Sequence, residues 1–170
     1  MAATYTPIAS ITLGADAASA TFTSIPQTYT DLVLVCLARS TRASNAGDSG
    51  RIRFNSDTGS NYSTTVLQGD GSIAESTRFT SATFCYIRIP AATATANVFS
   101  PSIWNIMNYA NTTTYKTTLQ RGISVSESTE LDASLWRNTA AITSIDISAN
   151  GGNLVSGSTF NLYGILGANA

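Results

Sequence analysis

Asp31-Leu-Val-Leu-Val-Cys-Leu-Ala38 is the most continuous apolar run in the chain. A short run of this kind, without polar alternation, reads as a β-strand covered on both faces. The segments before it alternate with a period of two instead. Pro7 to Leu13 sets Ile8, Ser10 and Thr12 on one face and Ala9, Ile11 and Leu13 on the other. After a turn at Gly14-Ala-Asp16, Ala20 and Phe22 alternate with Thr21 and Thr23. Pro26 has no amide donor for a ladder and ends that strand.

Downstream the pattern repeats. A loop rich in small polar residues, Ser40 to Gly50, leads to a short strand, Arg51-Ile-Arg-Phe54, and a turn at Asn55-Ser-Asp-Thr-Gly59. Tyr62 to Gln68 closes at Gly69-Asp-Gly71. Arg78 to Ile89 is long enough to bend across two sheets, with its weak point at Thr80 to Ala82 and with Cys85, Ile87 and Ile89 on one apolar face. Asn97 to Met107, Thr114 to Val125, Ser134 to Asn138, Ala141 to Ser148 and Ser158 to Leu166 continue the series. Asp146 points away from the face that buries Ile145 and Ile147, and Asn150-Gly-Gly-Asn153 is a strong turn signal. Helical turns are expected only around Asp70 to Thr77 and Ser126 to Ala133. No helix long enough for a parallel crossover separates any two strands, so the sheets are expected to be antiparallel. The expectation is an all-β chain, a single antiparallel β-sandwich domain over residues 1–170, of jelly-roll type.

Composition narrows the chemistry. The 170 residues include nine Lys and Arg, ten Asp and Glu, and no His, for a net charge of −1. Charged residues make up 11% of the chain, against about 25% in ordinary soluble domains. Without His there is no Ser-His-Asp or Cys-His nucleophile and no His-containing zinc site. One Lys, Lys116, and a near-zero net charge argue against a nucleic-acid surface. Aromatic and β-branched residues are spread along the whole chain, which excludes general disorder. The longest charge-free stretch, Ile89 to Tyr115, is dotted with Pro, Thr, Asn and Ser and is no membrane span. The start, Met1-Ala-Ala-Thr-Tyr-Thr-Pro-Ile8, lacks the basic and apolar regions of a signal peptide. A soluble protein made in a cytoplasm is expected. Cys36 and Cys85 both occupy apolar positions and read as two buried thiols rather than a bonded pair.

Few residues stand out as candidate sites. Asn55-Ser-Asp57-Thr-Gly59-Ser-Asn61 spaces oxygen side chains as calcium loops do, but Val66 and Ser60 stand where an EF-hand needs its bidentate acid and its Gly. Asp70 lies too far along to restore the pattern, so a turn held by side-chain-to-backbone bonds is the better account. Glu127, Glu130 and Asp132 lie close enough in sequence for paired-acid glycoside chemistry. In a Ser-rich connection, however, solvated loop acids are the ordinary finding. Arg51 and Arg53 share one strand face, as a salt bridge or a partner contact would require. Trp104, between Ile103 and Ile106, reads as core, and so does Trp136 in preference to a platform for a partner or a sugar. Asn61-Tyr-Ser63 and Asn111-Thr-Thr113 are glycosylation sequons that go unused without secretion. No catalytic, cofactor-binding or metal-binding residue is assigned.

Soluble monomers usually blunt their sheet edges with Lys or inward-pointing charges, and this chain has hardly any. A surface of Thr (25 residues), Ser (22 residues), Ala and Asn can pack against other protein without desolvating ions. Much of it is therefore expected to be buried in an assembly.

Tyr5-Thr-Pro-Ile-Ala9, followed by Ser24-Ile-Pro-Gln-Thr-Tyr-Thr-Asp-Leu-Val-Leu34, resembles the opening of small virion structural proteins of tailed bacteriophages, cyanophages among them. Arg53-Phe-Asn-Ser-Asp-Thr-Gly-Ser-Asn-Tyr62 with Leu67-Gln-Gly-Asp-Gly71 is similar to the same group, as are Ala141-Ile-Thr-Ser-Ile-Asp146 and Gly157-Ser-Thr-Phe-Asn-Leu-Tyr-Gly-Ile165. The resemblance implies a non-enzymatic capsid decoration (cement) protein on the outer surface of the virion. It would be synthesised in the host cytoplasm, form a homo-oligomer with a trimer favoured, and have the major capsid protein as partner. The chain termini and the Ser40 to Gly50 loop would reach neighbouring subunits. The alternative is a tail-fibre or receptor-binding module that contacts host glycan. Neither reading involves a cofactor, nucleic acid or membrane.

Overall fold

Alternating apolar and polar side chains become twelve strands in the computed structural model, which describes residues 4–124 and 128–167. In chain order these are β1 (Tyr5–Thr12), β2 (Ser19–Phe22), β3 (Asp31–Ala38), β4 (Gly47–Phe54), β5 (Tyr62–Gly69) and β6 (Ala74–Ala82). There follow β7 (Cys85–Pro90), β8 (Ser100–Met107), β9 (Lys116–Ser124), β10 (Ser128–Trp136), β11 (Ile145–Ala149) and β12 (Thr159–Ile165). An eight-stranded sheet, ordered β1-β12-β3-β8-β9-β10-β5-β6, packs against a four-stranded sheet ordered β2-β11-β4-β7. Every neighbouring pair is antiparallel. The chain is an antiparallel β-sandwich.

The apolar core lies where the four-stranded sheet covers one half of the larger sheet. Leu32, Leu34 and Cys36 of β3, Trp104 and Ile106 of β8, and Phe160 and Leu162 of β12 line one side. Phe22, Ile52, Phe54, Cys85, Ile87, Ile89, Ile145 and Ile147 line the other. Rings are the largest buried bodies. Trp136 stacks on Tyr62 at 6.3 Å and meets Phe54 at 5.6 Å. Each ring buried in this way removes roughly 150–250 Å² from water. Tyr29 lies flat against Gly164, so closely that a Cβ there would enter the ring.

Several expectations are corrected. The expected helical turn at Asp70 to Thr77 is instead a hairpin turn followed by β6. Asp70 Oδ1 accepts from Ser72 N (2.8 Å) and Ile73 N (2.7 Å), and the same side-chain bonds can begin a helix or close a turn. The expected turn at Ser126 to Ala133 is, from Ser128 onward, strand β10; Ser126 and Glu127 lie outside the described residues. Its period of two was concealed because the inward face is the polar one. The Ser40 to Gly50 segment is shorter than a free loop: β4 begins at Gly47, and Ser40, Asp48 and Gly50 are buried. Ser40 Oγ donates to Asp48 (2.8 Å), and Arg42 pairs with Asp48 at 3.3 Å. The crossing between sheets falls at Thr83-Phe84, directly after the segment expected to be weak. That segment is itself irregular: β6 slips register with β5 between Phe79 and Ala82, and Ser81 takes φ 53°. Finally, the second face of β3 is covered only in part: Val33 is 3% exposed there, but Leu37 is 39% exposed.

Arg39 closes the loop between β7 and β8. Its guanidinium is buried and donates to the carbonyls of Ala91 (2.8 Å), Ala94 (3.0 Å), Thr95 (2.8 Å) and Val98 (2.9 Å). These contacts wrap a charge-free segment around one planar fork of donors, a geometry an ammonium cannot reproduce. Arg39→Lys should lower unfolding free energy by about 1–3 kcal/mol in urea titration. It should also speed amide exchange selectively across residues 91–98.

Candidate functional site

The sandwich places polar side chains where a second half of the core would be expected. On β9, Lys116, Thr118, Gln120 and Ser124 point between the sheets, and on β10 Glu130, Asp132 and Ser134 do so. Register pairs Gln120 with Asp132 and Thr118 with Ser134. On β5, Thr64 lies within 2.8 Å of Ser134, hydroxyl to hydroxyl. Strand β7 lies across β9, β10 and β5 above this layer. With its side chain amide oriented to satisfy both neighbours, Gln120 donates to Asp132 Oδ2 (2.8 Å) and accepts from Gly122 N (3.2 Å). Asp132 Oδ1 and Thr118 Oγ1 have no partner. Lys116 is fully buried and donates to the carbonyls of Thr114 (2.8 Å) and Thr139 (3.0 Å). Burial pulls its pKa below the ordinary lysine value.

Of the three acids singled out in the sequence, Glu127 lies outside the described residues. The other two are strand residues turned inward rather than solvated loop acids: Glu130 is 2% exposed and Asp132 0%. Ser128 Oγ donates to Glu130 Oε1 at 3.2 Å. Burial first, and then the charge of Glu130, raises the Asp132 pKa from 3.8 to about 8. Asp132 is thus a neutral acid near neutrality, enclosed beneath β7, where a substrate could reach it only by displacing that strand.

The remaining sequence candidates are structural. Asp57 accepts from Trp136 Nε1 (2.7 Å), Asn61 Nδ2 (2.9 Å) and Gly59 N (2.8 Å). Burial acts to raise its pKa, but these bonds outweigh burial and hold it below the ordinary value. Asn55, in the left-handed region at φ 52°, accepts from Thr143 N (2.8 Å) and Ser144 N (3.1 Å). Trp136 is 1% exposed and belongs to the core, the favoured reading; a ring on the inward face of β10, tied to Asp57, is not an exposed platform for a sugar. Trp104 is core, as expected. Arg51 and Arg53 share their face over the Phe84 ring, at 5.3 and 5.8 Å, and Arg53 Nε donates to Thr83 O (3.0 Å). Cys36 and Cys85 are free and buried. Asn111 of the second sequon caps its turn through Thr113 N and Thr114 N. Among the described residues no three His, Cys, Asp or Glu side chains are grouped to hold a metal ion.

Sequence reasoning missed the outward face of the eight-stranded sheet. Leu67 of β5, Leu131 of β10, Arg121 of β9, Ile103 of β8 and Val35 of β3 stand side by side in one row of register. The next row holds Ala133, Leu119, Asn105 and Val33. Leu67 is 52% exposed, Leu119 45% and Leu131 44%. Two shallow troughs, of about 710 and 290 Å³, meet at Arg121, Thr129 and Glu130, and Glu75 also lines the larger. Charged residues at outward positions of this sheet, among those described, are Asp31, Arg78 and Arg121; the Asp31 carboxylate is engaged by Asn108 N at 2.6 Å. An apolar face with so little charge costs little to desolvate against another protein.

No protein-family model matches the chain, and no curated protein matches it.

The raised acid gives a signed pH dependence. Between the unfolded value of 3.8 and the folded value of about 8, the folded chain holds a proton at Asp132 that the unfolded chain has released. Stability should therefore fall as pH rises through that window, by at most about 1.4 kcal/mol per pH unit, and level off above it. Asp132→Asn should flatten the curve in urea titrations from pH 5 to pH 9 and stabilise the chain at the alkaline end. A wild-type curve that rises over this window would contradict the assignment.

Proposed function

We propose that this chain is a non-enzymatic structural protein of a bacteriophage virion, a capsid decoration protein. It stabilises the head by laying the outward face of its eight-stranded sheet on major capsid subunits. The observation that carries the reading is that face itself: exposed Leu67, Leu119 and Leu131 in adjoining rows, around Arg121, with almost no other charge. An exposed apolar patch of this extent marks an interaction surface. Its breadth suits a large rigid partner, because many modest contacts repeated over a shell replace high affinity at one point. The resemblance of the strand and turn motifs to small phage virion proteins supplies the partner.

We read the strand order as that of a jelly roll with two added hairpins. β1-β12-β3-β8 facing β2-β11-β4-β7 is the order two nested Greek keys produce. The pairs β5-β6 and β9-β10 then extend the first sheet beyond β8. Viral capsid domains are among the proteins built in this way, which supports the reading by analogy of fold alone. The two added hairpins supply Leu67, Leu119, Leu131 and Arg121, so the docking face is largely their product. The glycan-binding alternative, which needs an exposed Trp136 or a Tyr to stack on sugar, loses Trp136 to burial and keeps Tyr5 and Tyr115 as exposed tyrosines.

Quantitative mass spectrometry of purified virions tests the proposal. Copies in the hundreds per particle are expected; tens or fewer would indicate a fibre, and absence from the particle would refute both. Rebinding to heads stripped of the chain should weaken at least tenfold, roughly 1.4 kcal/mol, for the Leu119→Glu, Leu131→Glu double variant.

A further inference from the structure

The outer strands of a sheet present unpaired amides and carbonyls, and soluble proteins guard them. Three of the four outer strands here are guarded. β2 has only four residues. β7 has six, ends at Pro90 and lies over β9, β10 and β5. β1 contains Pro7, and its register with β12 slips between Pro7 and Ala9, so it lacks a donor and carries an irregularity that spoils further pairing. β6 is irregular only at its end, where its register with β5 slips between Phe79 and Ala82 and Ser81 takes φ 53°. It runs nine residues, Ala74–Ala82, without proline or lysine, and Ala74 to Ser81 are exposed. Its register with β5 is unbroken from Ala74 opposite Gly69 to Phe79 opposite Thr64.

We propose that β6 joins two copies of this chain, paired antiparallel about a two-fold axis normal to the sheet. An antiparallel edge is complementary to itself, the condition for an isologous contact. Residues placed opposite one another must lie on the same face, which limits the registers. Centred on Thr77, Ser76 meets Arg78 and Glu75 meets Phe79. No like charges oppose each other, and Glu75 with Arg78 leaves the strand neutral. The contact is small against the roughly 800 Å² per partner of a standard interface, so association belongs in the micromolar range. A two-fold pair takes the place of the trimer expected from the sequence. It also keeps both outward sheet faces on one side, which makes the pair a bivalent binder. Only that last consequence rests on the capsid-docking reading.

Sedimentation equilibrium of the purified full chain from about 1 to 300 μM, with amide exchange measured at both ends of the series, tests the pairing. The mass should pass from one chain to two, and exchange across residues 74–82 should slow with concentration. The Ser76→Lys, Thr77→Lys double variant should raise the dissociation constant at least tenfold while its far-UV circular dichroism and melting temperature stay unchanged. A single chain at the highest concentration would overturn the proposal. So would a trimer, a dimer indifferent to the lysines, or a dimer dissolved by Leu131→Glu alone, which would put the joint on the sheet face. Any of these would leave the virion reading standing, because particle copy number is measured independently.

Discussion

A sheet of eight strands faces a sheet of four, and the rest of the structure follows from that mismatch. Strands stand about 4.8 Å apart, so the smaller sheet can cover only about half of the larger one. Beneath the covered half the packing is that of an ordinary apolar core, from Leu34 and Trp104 to Phe22 and Ile147. Beyond it, β9, β10 and β5 turn Thr118, Gln120, Asp132, Ser134 and Thr64 inward under a single strand, β7. At the far end β6 is exposed along most of its length and touches the smaller sheet through Phe79, which stacks on Tyr86 of β7 at 5.7 Å.

The mismatch also accounts for where the apolar side chains of the added hairpins lie. With the inward positions of β9 and β10 occupied by polar groups, alternation sends Leu119, Arg121, Leu131 and Ala133 outward. A soluble monomer would usually arrange these strands the other way round, apolar in and polar out. The inversion costs stability, most clearly at Asp132, a carboxyl group buried beside a second acid and held neutral by that burial. It places on one broad face the side chains that a partner can cover.

How much of this the sequence discloses varies by strand, for identifiable reasons. Asp31 to Ala38 is legible to the residue because seven apolar positions end at charged neighbours. Alternation likewise discloses Cys85, Ile87 and Ile89, and the outward Asp146, which accepts from Thr21 Oγ1 at 3.0 Å. β10 is mostly lost because hydrophobic pattern reading assumes that the buried face is the apolar one. β6 is lost because Asp70 imitates the start of a helix. The outward face escapes for the same cause as β10: Leu67, Leu119 and Leu131 pass for core residues in their own strands. The signal that could have found it is polar and apolar residues exchanging faces between Lys116 and Trp136. Strand order is not readable locally at all, since β1 pairs with β12 from opposite ends of the chain.

The central claim is that the outward face of the eight-stranded sheet is covered in the working assembly. A cryo-electron microscopy map of the intact virion, at a resolution that shows side chains, measures this directly. The account predicts Leu67, Leu119, Arg121 and Leu131 in contact with subunits of the shell. A map with the four-stranded sheet seated on the shell, and that face open to solvent, would contradict it.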